Sequence, residues 1–242
     1  MTPDELIAAA CPKISALGSA FYFAPETLAA GKEAGLDGFR LYFLGRGGVL
    51  GDVEASVIVS AFGYFTAGVV EGIWTSAKQV MAPRDAARLY GRCAADHGAR
   101  KLGGVEGLEA FNAAADKIIT AAHPAAMALF AGWAAEPRTD DPAGRAMQSI
   151  AVLRELRGGA HLAAVVAVGL QPGVAHAIKR PDMVKAFGYD EVPEATDADR
   201  DRLAEAERIT DALVLPAYSV LDAAEADAFV ATLEQIEAAL KV

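Results

Sequence analysis

The sequence predicts an all-α globular fold of roughly ten to twelve helices. Hydrophobic residues make up 53% of the chain and aromatic residues only 7%, so the apolar share rests mainly on alanine. Alanine is the strongest helix former and lets helices pack closely. Apolar residues also recur at the three- and four-residue spacing of a helix, and no stretch alternates with the period of two that a strand requires.

The chain length leaves two arrangements open. A chain of 242 residues can form one large domain or two smaller ones, and either can bury a sizeable core. The polar segment PRTDDPAG, residues 137–144, is the clearest surface loop. We therefore predict an N-terminal helical domain over 1–136 and a C-terminal helical domain over 137–242 packed on it, with a single domain as the alternative.

The first helices carry their own start and stop signals. Residues 2–5, TPDE, combine a capping Thr, a Pro at the first helical position and a returning Glu, and predict a helix that reaches about Phe23. Pro25 opens a second helix, which Gly35 ends. Residues 38–48, GFRLYFLGRGG, predict a short aromatic helix that its glycines break.

Three further helices follow before the middle of the chain. We predict that Asp52 caps a very apolar helix through Phe65 and that Thr66 caps a short one carrying Trp74. Residues 83–102 show an amphipathic pattern. Its inward positions are Ala87, Tyr90 and Ala94, and its outward positions are Arg84, Arg88 and Arg92.

The middle of the chain contains the longest helical pattern. Residues 105–122 predict one helix and residues 124–133 another. After the 137–144 loop, Asp141 and Pro142 start a long helix, and the pair Gly158-Gly159 is expected to interrupt it.

The composition becomes acidic after Pro181. Residues 182–211 hold ten acids against four bases, and they predict a loop followed by a helix capped at Thr196. The final helix is expected over 222–240. Its apolar residues at helical spacing are Phe229, Leu233, Ile236 and Leu240.

Charge and cysteine content exclude several classes of protein. The formal net charge of −10 repels phosphate backbones and anionic lipids, so nucleic acid is an unexpected partner. Cys11 and Cys93 lack metal-type spacing and form no disulfide framework, which fits a reducing compartment. The N-terminus carries acids where a secretory signal carries bases, and no apolar run reaches about 18 residues. We therefore predict a soluble, cytoplasmic protein without a membrane span.

The most informative polar pair continues an apolar stripe. Ala146, Ile150 and Leu153 are spaced by four and three residues, and the same steps lead on to Arg157 and His161. A buried Arg needs an anionic or hydrogen-bonding partner. The pair therefore belongs either to a closed internal network or to a pocket for an anionic or polar ligand. In an enzyme, His161 would be the general base and Arg157 the oxyanion or carboxylate partner.

Other candidate ligand-binding residues each have a structural alternative. Arg46 lies in GRGG, which reads either as an anion-binding loop or as the end of a helix. Glu207 and Asp211, one helical turn apart, form a carboxylate pair or anchor Arg157. Five aromatic residues line a pocket or fill the core, namely Tyr22, Phe43, Tyr64, Phe65 and Trp74. No metal site is predicted, because His97, His123 and His176 are far apart in sequence and have no carboxylate or thiol at metal-ligand spacing.

Several segments resemble an actinobacterial group of uncharacterised proteins labelled as a helix-turn-helix family. The segments that carry the resemblance are YFAPE (22–26), GLDGF (35–39), LYFLGRGGVLG (41–51), the stretch from Phe65 to Trp74, LRELRGGAHLAAVVAVGL (153–170) and ERITDALVLPAY (207–218). They span most of the chain in order. The resemblance implies a helical N-terminal two-thirds followed by a region similar to the winged-helix fold of some transcriptional repressors.

The chain departs from that group in one place. Members carry a longer connection between the segments that match AFGYDEV and ATDADRDRLAEAERITD, and it would supply a recognition helix and a wing. Here only residues 193–195 join them, so we expect a truncated, degenerate helix-turn-helix part. The remaining pair of segments, 160–170 and 172–180, offers only His176, Lys179 and Arg180 as basic groups. A DNA reader needs several phosphate contacts and side chains that reach base edges.

These observations favour a helical protein that encloses a small molecule, with Arg46, Arg157 and His161 as its polar contacts. It is left open whether the protein also acts as an enzyme on a hydrophobic or carboxylate-bearing metabolite. The first alternative is a ligand-responsive transcriptional regulator of the helix-turn-helix class. The second is a haem protein that uses His161 as the iron ligand, which keeps haem as a candidate cofactor. A homodimer also stays open.

Overall fold

The computed structural model describes residues 1–241, and in this range the chain folds into twelve α-helices without a β-strand. The prediction of an all-α, multi-helix fold is confirmed. The helices are α1 (Pro3–Leu17), α2 (Pro25–Glu33), α3 (Gly38–Gly47), α4 (Ala55–Phe62), α5 (Ala67–Lys78), α6 (Pro83–Lys101), α7 (Leu108–Ala121), α8 (Ala128–Ala135), α9 (Pro142–Ala167), α10 (Pro172–Lys179), α11 (Asp197–Tyr218) and α12 (Ala223–Leu240).

Helix α9 lies at the centre of the molecule and packs against α1, α6, α7, α8 and α11. The apolar stripe predicted for it is buried, with Ala146, Ile150 and Leu153 all inaccessible to solvent. The main apolar core runs from Leu6 in α1 to Ile236 in α12. The core therefore includes side chains from both sides of residue 137. The division into two domains at this position stays a prediction.

The predicted start signals operate at both ends of the chain. The Thr2 hydroxyl accepts a hydrogen bond from the Glu5 amide, and the Glu5 carboxylate accepts one from the Thr2 amide. Thr196 and Asp199 form the same reciprocal cap at the start of α11. These caps satisfy amide groups that have no partner within the helix. The two residues of each cap are only three positions apart, so the sequence alone predicts them.

Helix α1 is shorter than predicted. It continues past the internal Pro12 but ends at Leu17, and residues 18–23 form turns. The turns bring the buried rings of Phe21 and Tyr22 against the ring of Tyr90 in α6. Aromatic packing in the core thus decides the end of this helix, which the helical pattern alone extended to Phe23.

The prediction that Asp52 caps α4 and that this helix reaches Phe65 is wrong. Asp52 pairs with Lys78 instead, and α4 starts three residues later. The helix ends at Phe62 because Gly63 takes a positive φ of 65°, which stops the helical ladder. Thr66 does precede α5, but its hydroxyl makes no cap and lies 3.5 Å from the Gly188 carbonyl.

The prediction that Gly158-Gly159 interrupts α9 is also wrong, because the helix continues unbroken to Ala167. A Cβ on Gly159 would lie 3.0 Å from the Met127 side chain, so this glycine admits a close neighbour. Gly45 has a similar role inside α3, where a Cβ would lie 2.7 Å from Tyr90. In this Ala-rich protein such glycines allow close helix contacts without ending the helix.

The boundaries of α7, α8 and α9 also differ from the prediction. Helix α7 starts at Leu108 after Gly107, whose φ is 78°, and α8 starts at Ala128, after Pro124. The predicted surface loop ends at Asp141, whose carboxylate caps α9 by accepting the Gly144 amide at 2.7 Å. Within residues 1–241 no single helix is long and apolar enough to cross a membrane, although the bent pair α9 and α10 passes that test together.

Candidate functional site

The end of α9 and the whole of α10 form a helix-turn-helix arrangement. The two helices meet at 118° across residues 168–171, and Gly169 in this turn has a φ of 71°. This bend lies within the range typical of helix-turn-helix units. A small separate apolar core joins the pair to α11 and comprises Ala164, Val165, Leu170, Ala175, Leu203 and Ala206. We call α10 with the end of α9 the helix-turn-helix unit.

The segment 183–189 packs against one face of helix α10. The His176 ring stacks on Phe187 at 3.8 Å, and Phe187 stacks on Phe65 at 3.9 Å between ring centroids. The space beside Gly173 holds the Tyr189 hydroxyl, which would lie 2.4 Å from an added Cβ. The side of α10 that carries Gly173 and His176 is therefore in contact with residues 187 and 189, and Lys179 and Arg180 at its end are exposed.

The exposed cations at the end of α10 already have acidic partners. Lys179 pairs with Glu207 of α11, and Arg180 pairs with Asp182 at 3.1 Å. Helix α10 is followed directly by the acidic part of the chain that the sequence predicts. Each of these cations would have to leave a carboxylate to reach a phosphate.

A cleft of about 720 Å³ lies between the helix-turn-helix unit and helices α4, α8 and α9. The term 'the cleft' refers to this hollow from here on. Its aromatic wall contains Tyr42, Phe62, Tyr64, Phe65 and Phe187. The ionisable residues that line it are Arg46, Arg154, Glu155, Arg157, His161, His176, Lys179, Arg180 and Glu207. The predicted pair Arg157 and His161 thus borders a hollow, together with groups from α3, α10 and α11.

Arg157 is held by two carboxylates. Its Nη1 donates to Asp211 Oδ1 at 2.7 Å and its Nη2 donates to Glu207 Oε2 at 3.1 Å, and 16% of its side chain is exposed. Glu207 and Asp211 therefore have the anchoring role that the sequence left open beside a carboxylate pair. Because it binds two carboxylates of α11, Arg157 joins α9 to α11 by ion pairs.

His161 has a defined tautomer in this network. The Thr210 hydroxyl donates to the Ala206 carbonyl at 2.6 Å, so its oxygen accepts from Nδ1 of His161 at 3.1 Å. Burial lowers the pKa of His161, and the nearby cations Lys179 and Arg157 lower it further against the opposing effect of Glu207. The ring is therefore neutral near pH 7, with its proton on Nδ1, and Nε2 is a hydrogen-bond acceptor.

A second polar network joins α3 to α9. Arg46 Nε and Nη2 donate to the two oxygens of Glu155 at 2.7 and 2.8 Å, and Nη1 donates to the Tyr42 hydroxyl at 3.1 Å. The guanidinium lies 4.5 Å from the centre of the Phe62 ring. The GRGG segment is thus mostly helical, and Arg46 binds a protein carboxylate.

Glu155 is the residue that the sequence analysis missed. Only 5% of its side chain is exposed. Burial raises the pKa of a carboxyl group, but Arg46 and Arg154 outweigh this effect and hold the pKa of Glu155 below its usual value. Burial also raises the pKa of Tyr22, whose hydroxyl stays protonated and accepts from Arg154 Nη1 at 3.0 Å. The available signal was a Glu next to Arg154, between Leu153 and Leu156, in the longest helical pattern of the chain.

A smaller cavity of about 280 Å³ lies on the other side of this ion pair, among α3, α6, α8 and α9. We call it the inner cavity. Arg46 and Glu155 line both the cleft and the inner cavity, so their ion pair is part of the wall between them. Tyr22 also lines the inner cavity, beside Trp133, whose Nε1 donates to the Arg46 carbonyl at 3.1 Å.

The remaining predicted aromatic residues divide between pocket and core. Tyr64 and Phe65 line the cleft. Phe43 and Trp74 are fully buried and line neither hollow, and Trp74 Nε1 donates to the Val53 carbonyl at 3.0 Å. Cys11 is a buried free thiol. Within residues 1–241, no three His, Cys, Asp or Glu side chains form a group that would hold a metal ion.

The fold and the site together define an all-α protein in which a helix-turn-helix unit borders a polar and aromatic cleft. Residues 8–241 match the model of the Helix-turn-helix family, and the chain belongs to this family. No curated protein and no solved structure matches the chain.

Proposed function

We propose that this member of the helix-turn-helix family binds a small amphipathic carboxylate in the cleft. The observation that carries the proposal is the combination, in one hollow beside α10, of an aromatic wall with a surplus of cations. Five Arg and Lys residues line the cleft, and four acids pair with them, namely Glu155, Glu207, Asp211 and Asp182, which leaves one cation in excess in a chain whose net charge is −10. The cation in excess, next to an aromatic wall, favours an anionic ligand with an apolar part.

The size of the cleft fits a small molecule. Its volume of about 720 Å³ falls within the range of roughly 300–1,000 Å³ that is usual for such sites. The rings of Phe62 and Phe65 offer apolar contact, and the Ala61 and Leu162 side chains extend that surface. An apolar chain or ring system would lie along this wall.

Arg154 is the group that we expect to hold the ligand carboxylate. Arg46 and Arg157 are fully engaged with Glu155, Glu207 and Asp211, whereas Arg154 has no carboxylate of its own. Its nearest acid is Glu155, at 3.8 Å, which Arg46 already binds in a bidentate pair. A carboxylate in the cleft would supply the missing counter-charge.

His161 supplies a second, different contact. Because its proton lies on Nδ1, Nε2 accepts a hydrogen bond from a hydroxyl or amide of the ligand, or accepts a proton in a reaction. The same nitrogen would serve as an axial ligand for haem, and this stays a prediction that a Soret band in the purified protein, lost in His161→Ala, would support. Catalysis by His161 and Arg157 likewise stays a prediction.

The position of the cleft would connect ligand binding to the helix-turn-helix unit. His176, Lys179 and Arg180 of the α10 region line the same hollow as Arg154. A ligand that contacts both sides would favour one arrangement of α10 and its covering segment over others. A ligand-responsive protein follows from this geometry more directly than an enzyme does.

Calorimetry with octanoate and 1-octanol tests this proposal. Octanoate should bind saturably, and 1-octanol about tenfold more weakly or not at all, because it lacks the anionic group. Arg154→Gln should weaken octanoate binding by about tenfold, whereas Arg200→Gln, an exposed change on α11 away from the cleft, should leave it within about twofold. Failure of the folded protein to bind octanoate, or equal binding by Arg154→Gln, would contradict the proposal.

The second candidate function is transcriptional regulation, favoured by the family membership and by the 118° bend between α9 and α10. For this chain we propose that the unit does not read DNA in the state described, since residues 183–189 pack against one face of α10 and acids hold Lys179 and Arg180. A gel shift with the upstream DNA of its own gene, at several salt concentrations, tests this. Tight sequence-specific binding at physiological salt would reverse the ranking.

A further inference from the structure

The inner cavity, like the cleft, has an aromatic wall. Four aromatic side chains line it, namely Phe21, Tyr22, Tyr90 and Trp133. Small side chains complete the apolar part, among them Ala87, Ala94 and Ala151. An engineered apolar cavity of roughly 150 Å³ holds benzene. A volume of about 280 Å³ therefore has room for one aromatic ring with a short polar substituent.

Two residues that line the inner cavity carry buried hydrogen-bond donors without a partner. The Tyr90 hydroxyl and the Nε and Nη1 atoms of Arg138 are all buried, and no acceptor for them lies among residues 1–241. Arg138 uses only Nη2, which donates to Asp116 at 2.6 Å. Burial keeps the pKa of Tyr90 well above its usual value, so its hydroxyl stays a donor. Leaving such groups unpaired is costly.

The lining of the inner cavity contains more arginines than glutamates. Four arginines line it, namely Arg46, Arg88, Arg92 and Arg138, against two glutamates. Both glutamates are already engaged, Glu155 by Arg46 and Glu136 by Arg84. Arg88 binds Asp85 at 3.3 Å and Arg92 is exposed, so the buried groups without a partner are the Tyr90 hydroxyl and the Nε and Nη1 atoms of Arg138, which are all donors. An acceptor-rich anion would satisfy them, whereas a cation or a hydrocarbon would not.

We propose that the inner cavity is a second binding site, separate from the cleft, for a small aromatic carboxylate. The ring of the ligand lies among the side chains of Tyr22, Tyr90 and Trp133. Its carboxylate accepts hydrogen bonds from Arg138 and from the Tyr90 hydroxyl. The Arg46–Glu155 ion pair keeps this site apart from the cleft, and its bidentate geometry leaves Arg46 unavailable to the ligand.

Phenylacetate and its neutral amide, phenylacetamide, are suitable probes. Calorimetry measures their affinity, and Trp133 fluorescence shows whether they bind in the inner cavity. Phenylacetate should bind at least about tenfold more tightly than the amide, because only the acid brings a charge to Arg138. Binding should change the emission, since Trp133 lines the cavity. Trp74 lies in the core away from it, so the Trp74→Phe variant should retain the signal.

The chain offers a matched pair of arginines for the key control. Arg138 and Arg145 both bind Asp116, at 2.6 and 2.8 Å, but only Arg138 lines the inner cavity. Arg138→Gln should weaken phenylacetate binding by about tenfold or more, and Arg145→Gln should leave it within about twofold. Equal effects of the two changes would overturn the proposal, because they would reduce Arg138 to a structural partner of Asp116.

Two more variants separate this site from the cleft. Ala151→Leu fills the inner cavity and should abolish phenylacetate binding while leaving octanoate binding unchanged. Tyr90→Phe removes only one oxygen and should weaken phenylacetate binding less. It replaces Ala151→Leu in the test if that variant fails to fold. His161→Gln alters the cleft and should not change phenylacetate affinity. Absence of saturable phenylacetate binding by the folded protein, or equal binding of the amide, would show that the cavity holds only water.

Discussion

The cleft and the inner cavity share the Arg46–Glu155 wall but differ in how their cations are paired. At the cleft, acidic α11 supplies Glu207 and Asp211, and they hold Arg157 and Lys179. At the inner cavity the neighbouring helices supply fewer acids, and Arg138 keeps two buried nitrogens without a partner. The comparison indicates that fully paired cations such as Arg157 stabilise the helix packing, whereas a cation without its own carboxylate, as Arg154 at the cleft, or with donors left over, as Arg138 at the inner cavity, is available to a ligand.

Replacing Glu155, whose carboxylate lines both the cleft and the inner cavity, should have the largest effect on stability. Glu155→Gln leaves the Arg46 guanidinium buried without an anion, so the free energy of unfolding should fall by about 3–5 kcal/mol in urea denaturation. Replacing both partners, as Arg46→Met with Glu155→Met, should recover most of that loss, because no unpaired charge stays buried. A loss below about 1 kcal/mol for Glu155→Gln would mean that water reaches the pair.

Removing Arg157 tests the same kind of pairing at the more open site. Its partners are partly exposed, with 33% of the Glu207 side chain and 51% of the Asp211 side chain accessible, so water can solvate them after the change. Arg157→Met should therefore cost only about 1 kcal/mol of unfolding free energy. A loss as large as that of Glu155→Gln would remove the distinction between the two regions. Arg200→Gln is the control and should have no measurable effect.

Two adjacent glycines in α9 test how tightly the helix is packed beside the cleft. No atom lies within 4 Å of a Cβ added to Gly158, so Gly158→Ala should raise the free energy of unfolding by about 0.5–1 kcal/mol. At Gly159 the added Cβ would approach Met127 to 3.0 Å, and Gly159→Ala should give a smaller gain or a loss. Equal gains at both positions, measured by thermal unfolding, would contradict the described contact with Met127.

The smallest effect is a pH dependence that belongs to the cleft. Burial lowers the pKa of both His161 and His176. At His176, Arg180 lowers the pKa further and Asp182 opposes this effect. Neither histidine lines the inner cavity. The folded state therefore binds fewer protons than the unfolded chain. Their contribution to stability is complete above about pH 6.5 and is lost as the pH falls through the lower folded values.

Urea titrations between pH 5 and pH 7 measure this loss for the wild type and for His161→Gln. The wild type should lose stability on acidification more steeply than the variant, because the variant cannot take up the proton. The cations Lys179 and Arg157 reinforce the effect, and Glu207 opposes it. Parallel curves for the two proteins would show that the imidazole titrates alike in the folded and unfolded states.

Much of the candidate site was visible in the sequence as a face of one helix. The spacing from Ala146 to His161 placed Arg157 and His161 on the continuation of a buried stripe, and both line the cleft. The anchoring of Arg157 by Glu207 and Asp211 was one of two alternatives. The sequence left Glu155 out, because nothing local distinguishes a buried Glu with a distant partner from a solvated one.

The sequence by itself determined the helices, their caps and their buried faces, because capping hydrogen bonds and helical periodicity join residues only a few positions apart. The tertiary structure decided which charges meet. Arg46 and Glu155 are 109 residues apart, and only the packing of α3 on α9 brings them together. It also decided that Gly158 and Gly159 lie inside a helix and which cations were left without an acid, since both depend on neighbours from other helices.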